Sequence, residues 1–148
     1  MATTAASELD RRPFFKRSRL REYQVSLFMR LMQELVEARR RAAWGKLSEL
    51  PEYGRFIEAA YGCGFVTTDF ATGGSLANGE SFEYIKSHPQ EVQYLPLQTV
   101  RHLVHILVRA EHSNFEMVDE KEGTINQALS NGLLAAIGSR LEMILNER

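Results

Sequence analysis

The stretch that decides the fold is Leu97-Gln-Thr-Val-Arg-His-Leu-Val-His-Ile-Leu-Val-Arg-Ala-Glu-His112. Its apolar residues Val100, Leu103, Val104 and Leu107 recur three and four apart, the spacing of a helix that buries one wide side. A helix this apolar belongs near the centre of a core, so the rest of the chain is read as the material packed around it. Upstream, Leu20, Leu27, Phe28, Leu31, Met32, Leu35, Ala38 and Ala42 share one face and predict a helix over Ser18–Trp44, with Leu31 at the middle of its stripe and Arg30 and Arg40 off it. Pro51, favourable in a first helical turn, opens a predicted helix to Tyr61 with Phe56, Ile57 and Ala60 inward. Residues 65–70 read as a short extended segment and 71–79, with Gly73, Gly74, Asn78 and Gly79, as a loop. A short helix over Glu80–His88 stops before Pro89. Thr124 caps a helix to Leu129, Asn131-Gly132 turns the chain, and Leu133–Leu145 closes it through Leu134, Ile137, Leu141 and Ile144. The expectation is a mainly α, compact single-domain bundle of five or six helices with at most one short strand. Residues 1–12 form a flexible tail and 13–148 the helical domain.

Bulk properties narrow the class. At 148 residues, 44% of them hydrophobic and 25% charged, the chain has the size and composition of one globular domain. No apolar run approaches the roughly 20 residues that a membrane span requires. The first ten residues lack the basic and apolar regions of a signal peptide, and the single cysteine, Cys63, cannot staple the chain to itself. A cytoplasmic protein without a membrane role follows as the expectation.

Charge is unevenly spread. The first 46 residues carry 11 of the 18 basic side chains and only five of the 19 acids. Arg11, Arg12, Lys16, Arg17, Arg19 and Arg21 crowd one end of this region, with Phe14 and Phe15 interleaved, and Arg39, Arg40 and Arg41 close the other. The second cluster suits a helix C-terminus, where cations offset the negative end of the helix dipole. The first is the kind of basic-aromatic arm that contacts phosphates, stacks on bases, or lies against acidic protein surface.

Within the central helix, His102, His105, Arg109 and His112 fall in an arc of about 80°. They read either as a strip for an anion or an acid–base pair, or as the polar face of an otherwise apolar helix. No metal is expected there: Arg109 stands where a carboxylate ligand would be needed, and no zinc-type spacing occurs. Cys63 reads as a small buried residue. The Gly62-x-Gly64 and Gly73-Gly74 pairs lack the strand, helix and lysine of a phosphate loop, and no other cofactor motif is present, so no cofactor is expected. Ala128…Gly132 resembles a helix-turn-helix bend, but the following Leu133-Leu-Ala-Ala-Ile137 offers nothing to base edges and Gly138 stands at a position that should be large and apolar.

Three stretches carry a family resemblance: Arg55-Phe-Ile-Glu-Ala-Ala-Tyr-Gly-Cys-Gly-Phe-Val66 with Asp69-Phe70; Leu97 through Glu111; and Glu122-Gly123, Ala128-Leu-Ser-Asn-Gly132 and Arg140-Leu141. Over about residues 51–145 the chain resembles the bacterial domain of unknown function 6508 family. The resemblance implies a helical fold and brings no activity with it. Three classes of function stay open: a non-catalytic interaction or regulatory protein of bacterial or phage origin that binds another protein; a nucleic-acid binder using residues 11–41; and an enzyme with a site near Arg109, Glu111 and His112.

Overall fold

The structure, a computed structural model, describes residues 22–42, 45–67, 76, 79, 81–114 and 123–147, the side chains of 112–114 excepted. Among these residues the chain is mainly helical and contains no strand. Six α-helices follow one another: α1 (Glu22–Arg41), α2 (Pro51–Gly62), α3 (Phe82–Ser87), α4 (Leu97–Asn114), α5 (Thr124–Ser130) and α6 (Leu133–Asn146), with 3-10 turns at Leu47–Glu49 and Pro89–Tyr94. The tail at residues 1–12 and the start of the predicted first helix lie outside the described residues.

One apolar cluster joins every element. α1 contributes Val25, Phe28, Met32 and Leu35, all with no exposed surface, and Ala38 behind them. Leu31, expected at the centre of this stripe, is only partly buried, because the buried line is anchored one step earlier, at Val25. Leu27 and Leu31 flank it and pack against its edge. Phe28 stacks between Phe56 of α2 and Phe65 beyond it, with ring centroids 5.4 and 4.1 Å away. Offset aromatic packing of this kind adds to the burial of each ring. α1 lies chiefly against α6 and α2, and α6 in turn against the second 3-10 turn.

Two breaks set the path of the chain. α2 begins because Leu50, held extended before Pro51, cannot continue a helix. It ends where Gly64 adopts φ 85°, letting the amides of Phe65 and Val66 both donate to the Ala60 carbonyl, at 3.0 and 2.9 Å. The extended segment expected from Phe65 is therefore a turn over 65–67, folded back on α2, with Phe65 fully buried; residues 68–70 lie outside the description. Gly132, φ 85°, makes the second break, between α5 and α6. Asn131 fastens it, accepting from the Leu133 amide and donating to the Lys86 carbonyl, each at 3.0 Å.

The 3-10 turn at Pro89–Tyr94 carries no sequence periodicity, since it offers only Val92 and then Leu95 to the core. α6 is a packing helix, as its composition predicts: Leu133, Leu134, Ile137, Gly138 and Leu141 are buried, and Gly138 lets α1 approach closely enough that an added Cβ would touch Gln33 and Met32 at 3.4 and 3.8 Å. Among the described residues no helix is long and apolar enough to cross a membrane.

Candidate functional site

Within the arc of His102, His105, Arg109 and His112, the first two side chains do not face solvent. His102 and His105 are each 4% exposed, and so is their neighbour Arg101; Arg109 alone of the described strip residues is exposed. The side chain of His112 lies outside the description. Buried polar groups are costly unless they are hydrogen-bonded, and backbone from the turn after α2 meets that requirement for Arg101 and for Nδ1 of His105. Arg101 Nε donates to the Gly64 carbonyl at 2.8 Å, and the Thr67 amide donates to His105 Nδ1 at 3.2 Å. The glycine turn that ends α2 thus presents a carbonyl and an amide to α4, and α4 answers each with a side chain of the right polarity.

This bond fixes the chemistry of His105. A nitrogen that accepts from an amide carries no proton, so the neutral ring holds its proton on Nε2. Burial, then the charges of His102, Arg109 and Arg101, keep the His105 pKa below its ordinary value of 6.5. His102 lies beside it with ring centroids 6.2 Å apart and the planes tilted by 53°. Nδ1 of His102 and Nε2 of His105 are both shielded from solvent. Among the described residues no group of three or more His, Cys, Asp or Glu side chains is placed to hold a metal.

Glu111, one turn beyond, is the residue whose role sequence reasoning missed. Its Oε2 accepts from the Tyr53 hydroxyl at 2.7 Å and its Oε1 from the Ile125 amide at 3.1 Å. Thr124 does not cap α5: the N-cap position is Gly123, which has no side chain to give, and Glu111 of α4 satisfies the first-turn amide instead. The negative carboxylate also suits the positive end of the α5 dipole. The available signal was the glycine itself, because a helix opening on Gly123 needs an acceptor from elsewhere. Arg140 plays a matching part on α6, donating through Nε to the Leu95 carbonyl at 2.7 Å, with Glu147 3.6 Å from its Nη1.

The basic clusters separate. Arg39 Nη1 reaches the carbonyls of Ala42 and Gly45 at 3.4 and 3.3 Å, the end of its own helix. Arg40 pairs with Glu37 at 2.6 Å, and Arg41 lines a shallow groove with Arg30, Glu34, Glu37 and Glu52. Arg39 thus serves the end of its own helix and Arg40 an acid one turn away. Arg11, Arg12, Lys16, Arg17, Arg19 and Arg21 lie outside the described residues. Cys63 is buried, and burial pushes its thiol pKa up, away from a reactive thiolate.

Among the described residues, the large apolar side chains left exposed are Tyr23, Tyr61, Tyr84, Tyr94 and Met143, with Tyr94 at 71% and Tyr23 at 67%. A groove of about 810 Å³ runs between the start of α1 and the end of α6, lined by Glu22, Tyr23, Ser26, Met29, Glu142, Leu145 and Asn146. No family model, no curated protein and no solved structure matches the chain.

Proposed function

We propose that the chain is a small non-catalytic interaction or regulatory protein, of bacterial or phage origin, that acts in the cytoplasm by binding another protein. The observation that carries this reading is the contrast between inside and outside. The polar groups best suited to form a reactive set, Arg101, His105 and Glu111, are engaged by backbone or by Tyr53. The described surface instead exposes four tyrosines and a methionine, residue types enriched at protein interfaces. The described arginines Arg39 and Arg40 are engaged by a helix end and by Glu37, which weakens the support that residues 11–41 give to nucleic-acid binding.

The test is photo-crosslinking from positions 23 and 94 in cells of the source organism, followed by reconstitution with the purified crosslinked protein. Saturable binding that falls at least tenfold in Tyr23→Ala with Tyr94→Ala, at unchanged melting temperature, is the expected result. A catalytic turnover by the purified chain that Glu111→Gln abolishes would replace this reading with the enzymatic one.

We also propose that residues 51–145 belong to the domain of unknown function 6508 family. Support comes from how the stretches that carry the resemblance meet in space. Gly64 receives Arg101, Glu111 receives Ile125 beside Gly123, and Arg140 holds the chain just before α4. Three separate contacts thus tie residues of these stretches to neighbouring parts of the same core.

A further inference from the structure

We draw no further inference here: the strongest candidate, the groove between the start of α1 and the end of α6 with Glu22, Tyr23, Met29, Glu142 and Leu145 in its lining, carries none, because nothing in the structure shows what covers it.

Discussion

The two faces of this core are built on opposite principles. The seam of α1, α2 and α6 is mainly apolar, centred on Phe28 between two further rings, and Gly138 of α6 leaves room there for Gln33 and Met32 of α1. Around α4 the same tight burial encloses Arg101, His102, His105 and the end of Glu111's reach. The seam holds by area and shape, which tolerate sliding. α4 adds specific pairings, Arg101 with Gly64, His105 with Thr67 and Glu111 with Tyr53 and Ile125, each favourable only while its partner is in place. The seam is stabilised by burial of apolar area, and the α4 pairings fix which turn meets which helix.

That division can be broken experimentally. The largest loss is expected from Phe28→Ala, about 3–5 kcal/mol, because it removes a fully buried ring and leaves a cavity between Phe56 and Phe65. Urea unfolding at neutral pH measures it; a loss below 1 kcal/mol would mean that α1 is not the keystone of the seam.

Glu111→Ala should cost less, about 1–3 kcal/mol, through the Tyr53 hydroxyl and Ile125 amide left without their acceptor. Amide hydrogen exchange sharpens the comparison: α5 should lose protection in this variant while α1 and α6 keep theirs. Uniform loss across all helices would erase the distinction between the two faces.

The smallest effect concerns acidity. The folded-state pKa of His105 is depressed, so the unfolded chain takes up that proton first as pH falls. Its contribution is complete above about pH 6.5 and is lost as pH drops from there toward the folded value, by at most about 1.4 kcal/mol per pH unit for one site. His105→Asn, which keeps an acceptor for the Thr67 amide and cannot titrate, should flatten the slope of the urea midpoint between pH 7.5 and 5.5. An unchanged slope would place the acid sensitivity elsewhere.

The helices of the seam were legible in the sequence because their apolar residues recur at helical spacing and nothing else competes with that pattern. The start of α2, the end of α3 and the Gly132 turn were legible for local reasons: Pro51, Pro89 and a left-handed glycine. The interior of α4 was not. A histidine that faces water and one that accepts an amide bond from Thr67, 38 residues away, look identical in a helical wheel. The usable clue lay in the surroundings. Between Val100 and Val108 only Arg101, His102 and His105 are polar, and a helix apolar around nearly its whole circumference takes its polar residues inside with it. Leu31 was misjudged for a different reason: the stripe fixes a face to within about one residue, and only the partners on α2 and α6 decide which line of it is sealed.

The cap that Glu111 lends to α5 has a consequence for the order in which the fold assembles. Seven residues cannot sustain a helix in water by themselves, since nucleation is too costly at that length. α5 obtains its first-turn acceptor from α4, and that carboxylate is in turn held by Tyr53, 58 positions away in the chain. α5 therefore acquires its acceptor only when Glu111 is brought to it, and that carboxylate is oriented once α2 has found α4. In the native fold α5 is thus a latch whose catch belongs to α4 and is steadied by α2.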